Sequence, residues 1–223
     1  MDVRGAELRL CAPRFSDGAP TGDAGDGAAP FLSGAYTLDM RNAQLSDETL
    51  PNTQVAAFSI FWDAQSLYFV ASMSDVNAKI DTGNPAIEAM ICAGDPETDY
   101  DEAHCVDFIV DYKGNLSGPP RFNASTSGIT ESVKGDPTAF SVTAKLPASL
   151  FGALVSGGHM LVNVTAISYE LVGGSPPSAQ SSMTAFFVPN RMCHHDAGAG
   201  SPFACGSADQ SYEPVTWARV VLE

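Results

Sequence analysis

Basic residues are scarce in this chain: 11 Lys plus Arg stand against 26 Asp plus Glu in 223 residues, a formal net charge of −15. So acidic a surface repels phosphate backbones and anionic headgroups, and few cations remain to build a local basic patch. Nucleic acid and anionic membranes are therefore excluded as expected partners. Long apolar runs are missing too, with nothing near the roughly 18 consecutive residues that a membrane helix needs, so membrane insertion is not expected. Residues 1–15 carry Asp2, Arg4, Glu7, Arg9 and Arg14 without an apolar segment, so no signal peptide is read there. No period of roughly 20–50 residues recurs, which leaves out solenoids and propellers. The chain has no G-x-S-x-G elbow, no H-E-x-x-H, no phosphate loop and no dinucleotide fingerprint. Its carboxylates do not mark out a pair at glycosidase separation. The expectation is a protein that is not an enzyme.

What is present describes a globular chain. Apolar residues make up 44% and charged residues 17%, a balance that disordered segments do not show. Helical periodicity is scarce, whereas short β-type runs recur over 35–40, 55–62, 67–74, 105–112, 121–125, 140–146, 160–169, 184–188 and 215–222. Gly- and Pro-rich turns separate them, the signature of an all-β antiparallel sandwich. One short helical turn is expected over 147–154, with Pro147 at the first helical position and Gly157-Gly158 as the stop. Residues 1–223 are expected to form a single β-sandwich domain, since sandwiches often exceed 200 residues as one unit. Within it, Gly, Asp, Ala and Pro dominate 16–30, which reads as an exposed loop.

The densest signal is the run from Phe61-Trp62-Asp63 through Leu67-Tyr68-Phe69 to Asp75. An apolar strand ends in Trp-Asp, a polar stretch turns the chain, and a second strand stops at an aspartate, which is a hairpin pattern. Trp62 and Trp217 stand beside apolar neighbours and are expected in the core.

Cys92 and Cys105 bracket one segment rich in Gly, Pro and Asp, and Cys193 and Cys205 bracket another. Two local disulfides fit that spacing, although four cysteines allow three pairings and Cys11 remains odd. Local pairing places the protein in an oxidising, extracytoplasmic compartment: secreted, periplasmic or cell surface. Buried or surface thiols in a reducing cell are the alternative.

Two clusters suggest metals. Asp99, Asp101 and Glu102, with Asp95 and Glu97 nearby, offer hard oxygen ligands to Ca²⁺, against the alternative of a solvated acidic loop. His194, His195 and Asp196, between Cys193 and Cys205, offer imidazoles to Zn²⁺ or Cu²⁺, against that of a disulfide-closed loop. Asn115, Asn123 and Asn163 stand in N-x-S/T sequons.

Four blocks in order resemble the family 9 carbohydrate-binding modules and their wider DOMON-like group: Trp62-Asp63 with Leu67-Tyr68-Phe69 and Asp75; Asp101-Glu102 with Val106-Asp107-Phe108-Ile109-Val110-Asp111; Val142 to Asn163; and Tyr212-Glu213-Pro214 with Trp217-Ala218. The resemblance covers roughly 54–223 and implies a non-catalytic module that binds a glycan or polysaccharide. In such modules two aromatic faces clamp a sugar ring, whose C–H faces are apolar, while carboxylate, amide and guanidinium groups hold its hydroxyls. By position the clamp would be Tyr100 and Tyr212. Asp107 matches the sugar-binding carboxylate and Asn163 the amide, with Asn123 and Thr165 near the positions of Arg and Gln. Tyrosine thus replaces tryptophan, the carboxylate is a methylene shorter and the guanidinium fork is absent. Asp107 alternates with Val106 and Phe108 and so faces away from them, onto a solvated or ligand-facing surface. One alternative is a structural or adhesive surface domain that presents the same loops to a protein partner. A third class is a b-type haem module, drawing on Met73, Met90, Met183, Met192 and the four histidines, among which no spacing selects a pair.

Overall fold

The computed structural model describes residues 9–12, 36–38, 55–75, 83–95, 99–118, 126–172, 178–185 and 218–223. These form β1 (Arg9–Ala12), β2 (Tyr36–Leu38), β3 (Val55–Trp62), β4 (Ser66–Ser74), β5 (Ala86–Asp95), β6 (Asp99–Asp111), β7 (Leu116–Ser117), β8 (Thr130–Asp136), β9 (Ala139–Pro147), β10 (His159–Val172), β11 (Ser178–Ala185) and β12 (Ala218–Leu222). One sheet has five strands in the order β2-β3-β4-β9-β8. The other has seven, in the order β1-β12-β10-β5-β6-β7, with β11 beside β10. Pairing is antiparallel throughout except between β1 and β12, which run parallel.

Alternation explains how the sheets stack. Phe58, Ile60 and Trp62 of β3, Leu67, Phe69 and Met73 of β4, and Phe140, Val142 and Leu146 of β9 point into a core shared with the larger sheet. Phe69 of β4 meets Phe108 of β6 edge to face, with ring centroids 5.8 Å apart, which joins the two layers.

The Trp62–Asp75 hairpin is as expected: Trp62 pairs with Leu67 across a turn closed by Asp63. Asp63 accepts hydrogen bonds from the Gln65 and Ser66 N–H groups through Oδ1, at 2.7 and 2.8 Å, and from the Tyr68 hydroxyl through Oδ2, at 2.8 Å. Burial alone would raise the Asp63 carboxyl, but those donors and nearby Lys145 hold it below its ordinary value. Burial, with the hydrogen bond and charge of Asp63 added, pushes the Tyr68 phenol up to about 12.

Two expectations need correction. The helical turn is a 3-10 turn over Ala148–Phe151, so Pro147 is its N-cap rather than its first residue. It stops at Gly152, whose φ of 78° lies in the region that glycine adopts without a Cβ clash, well before Gly157-Gly158. β1, β5, β7 and β8 were not expected, β6 begins at Asp99 rather than at 105, and β11 begins at Ser178 rather than at 184. β5 is buried along both faces, so its sequence Ala-Ile-Glu-Ala-Met-Ile-Cys-Ala has no period-2 contrast to reveal a strand. β8, Thr-Glu-Ser-Val-Lys-Gly-Asp, is the edge of the smaller sheet and buries too little apolar surface to announce itself. The expected strand over 121–125, the loop over 16–30 and Trp217 lie outside the described residues.

Asp111 ends β6 and ties the following turn together. Its Oδ1 accepts from the Lys113 and Asn115 N–H groups, and its Oδ2 from the side-chain amides of Asn84 and Asn115, at 2.7–2.9 Å. Burial works against the charged form, yet these donors hold the carboxyl below its ordinary 3.8. A carboxyl with a depressed folded pKa stabilises fully above its unfolded value and loses that contribution as pH falls through the folded one. Asp111→Ala is therefore expected to cost about 2–3 kcal/mol at neutral pH. The gap to wild type should narrow below pH 3.8, where the unfolded carboxyl takes up its proton. Urea midpoints at pH 7 and near pH 2 check this; a gap equal at both would assign the loss to packing alone.

Candidate functional site

β10, β5 and β6 lie side by side in the larger sheet, and alternation sends every second residue away from the core. Met160, Val162, Val164 and Ala166 of β10, Ile87, Ala89 and Ile91 of β5, and Val106, Phe108 and Val110 of β6 pack between the sheets. The intervening residues share the opposite face in three registered rows. Cys105, Cys92 and Leu161 form the first, Asp107, Met90 and Asn163 the second, and Ile109, Glu88 and Thr165 the third. Two inter-strand spacings, roughly 10 Å, separate the Asp107 and Asn163 backbones.

This face is closed to solvent. Asp107 and Asn163 are 0% exposed, Thr165 1% and Glu88 2%. Met90, Cys92, Cys105 and Leu161 form a buried apolar cluster of their own beside them. The expectation that Asp107 faces away from Val106 and Phe108 holds, but a solvated surface is not what it meets. Burying polar side chains is costly unless their hydrogen-bonding capacity is met, so four on one face form a demanding arrangement. The Val164 N–H donates to Asn163 Oδ1 at 2.9 Å, which orients the amide. Thr165 Oγ1 is buried and, among the described residues, makes no hydrogen bond.

The structure thus brings together Asp107, Asn163 and Thr165, nominated from strands far apart in sequence, and adds Glu88, which was missed. The single signal for Glu88 was an acidic residue inside an otherwise apolar run. Arg219 of β12 was also missed: half-buried, it pairs with Leu161 at the end of the first row. Tyr100 lies in β6 opposite Gly94, and Asp99, Asp101 and Glu102 occupy the same end of that strand; nothing is described of their side chains. Asn123, Tyr212, His194, His195, Asp196, Cys193 and Cys205 lie outside the described residues. Among the described residues no group of three or more His, Cys, Asp and Glu is placed to hold a metal. Met73 packs in the core between the sheets whereas Met90 lies on the outer face, so these two are not brought together.

Cys92 and Cys105 are joined by a disulfide between directly opposed residues of β5 and β6. The register shifts just beyond Cys92, and Gly94 takes a φ of 106° there, so the disulfide pins the ladder where its pairing becomes irregular. Among the described residues no helix is long and apolar enough to cross a membrane.

Solved structures resemble this fold. A family 9 carbohydrate-binding module from Caldicellulosiruptor kristjanssonii, in complex with glucose, matches with a TM-score of 0.63 at 12% identity, covering 96% of this chain and 95% of that one. The module in complex with cellotriose matches with a TM-score of 0.61 at 12% identity, covering 96% and 93%. A protein from Bacteroides uniformis matches with a TM-score of 0.53 at 14% identity, covering 98% and 100%. No protein-family model and no curated protein matches the sequence.

Proposed function

We propose that this chain, whose fold is like that of the family 9 carbohydrate-binding modules, is a non-catalytic, extracytoplasmic module that binds a glycan through the outer face of its larger sheet. The observation that carries the reading is the convergence of Asp107, Asn163 and Thr165 on one face, with Glu88 among them. Carboxyl, amide and hydroxyl groups held on rigid central strands are the acceptors and donors that sugar hydroxyls need. Tyr100 and Tyr212 would supply the stacking faces. The Cys92–Cys105 disulfide supports an oxidising location, and the absence of a recognisable catalytic motif supports a binding role.

Calorimetric titration with cellotriose, backed by a glycan array, tests this. Saturable binding is expected, weakened about five- to thirtyfold in Tyr100→Ala and in Tyr212→Ala, the loss of stacking worth roughly 1–2 kcal/mol. One observation favours a second reading, a structural or adhesive domain with a protein partner: the same four polar side chains are closed to solvent, so a sugar reaches them only when that face is uncovered. Under that reading the array stays blank, and substitutions on the face lower stability alone.

A further inference from the structure

We infer that the Cys92–Cys105 disulfide is a positioning element for ligand binding, because it fixes the base of the arm that carries Tyr100; this rests on the glycan-binding reading above. Below the disulfide, β5 and β6 pair residue for residue, from Ala86 with Asp111 up to Cys92 with Cys105. Beyond it the next pair is Gly94 with Tyr100, so Ala93 alone faces Asp101, Glu102, Ala103 and His104. Ala93 keeps its place opposite Met160 of β10, so the excess chain belongs to β6. Extra residues in one strand bend it and re-aim whatever follows.

The arm beyond that excursion has little backbone pairing of its own. Gly94 pairs with Tyr100 and Asp95 with Asp99, and a two-stranded hairpin this short is marginal in water. Its position therefore depends on its root. There the His104 imidazole stands 3.3 Å from where a Cβ on Gly152 would lie, packed on the end of the 3-10 turn. Cys105, the next residue, is bonded to Cys92 across the ladder and buried with Met90 and Leu161 beside the polar rows. The covalent bond thus stops β6 from slipping along β5 at the point where regular pairing ends. Without it the irregular stretch is free to shift and Tyr100 shifts with it, whereas Asp107 stays held by the regular ladder below.

Calorimetric titration with cellotriose, or with the tightest ligand on the array, tests this on wild type, Cys92→Ala/Cys105→Ala, Tyr100→Ala and the triple variant, each shown folded by circular dichroism. Removing the disulfide is expected to weaken binding several-fold when Tyr100 is present. Once Tyr100 is alanine the loss should be less than about twofold, because both changes act through one ring. Asp111→Ala, a destabilising change at the far end of β6, should bind like wild type. Gly94→Ala keeps the disulfide but sets a Cβ at a φ of 106°, which disturbs the arm directly and should weaken binding several-fold. That variant decides the matter if the cysteine variant fails to fold. Equal losses with and without Tyr100, unchanged affinity without the disulfide, Asp111→Ala weakened as much, or Gly94→Ala binding like wild type would each overturn the positioning role and leave the glycan reading standing. No binding by wild type, with a blank array, would overturn the glycan reading itself and the positioning role with it.

Discussion

Trp62→Ala is expected to destabilise the fold by about 3–5 kcal/mol, the range for deleting a large buried aromatic. Trp62 is 1% exposed and closes the end of β3 against Leu67 of β4. Its indole also reaches beyond the smaller sheet. Nε1 donates to the Ala12 carbonyl at 3.0 Å and to the Glu223 carbonyl at 3.1 Å, which fastens the ends of β1 and β12. Alanine would leave a cavity and strip a donor from both carbonyls. Trp62→Phe separates the two losses: it keeps most of the apolar volume and should cost about 1–2 kcal/mol for the missing donor. Circular dichroism through a urea series measures both. A Trp62→Ala loss below about 1 kcal/mol would mean that the indole does not occupy the core, contrary to its burial.

Removing the disulfide should have the next largest effect on stability. The Cys92→Ala/Cys105→Ala variant is expected to lose about 3 kcal/mol, the chain-entropy value for a loop of this length, the cysteines being separated by 13 residues. Alanine is the better replacement because a buried serine would add its own unsatisfied hydroxyl. Both half-cystines are buried, at 0% and 3% exposure, so a reductant gains access chiefly when β5 and β6 part. Reduced wild type should then unfold at the same urea concentration as the variant. If oxidised and reduced wild type unfold together, the disulfide does not hold this hairpin. The functional consequence follows from register: the Cys105–Cys92 row adjoins the row of Asp107 and Asn163, so loosening it should also blunt glycan binding.

The parts of the fold legible in the sequence were those whose signal is local. Val55–Trp62 stands where the apolar β-type run placed it, because one face of β3 is core and its apolar residues mark the strand in the chain. The Trp62–Asp75 hairpin was equally readable, since Asp63 closes its own turn with hydrogen bonds to Gln65 and Ser66. β5 was not readable, because burial on both faces removes the contrast that marks a strand. Glu88 was lost with it.

By itself, the sequence determined an acidic, all-β chain with Trp62 in its core, and the direction in which Asp107 points within its own strand. Those properties follow from charge count and period-2 alternation, which need no partner strand. Only the tertiary structure decided that Asp107, Glu88, Asn163 and Thr165 share a face, that this face is closed to solvent, and that Cys92 lies opposite Cys105. Such facts depend on the register of three strands distant along the chain, and a slip of one residue in β10 would turn Asn163 and Thr165 into the core.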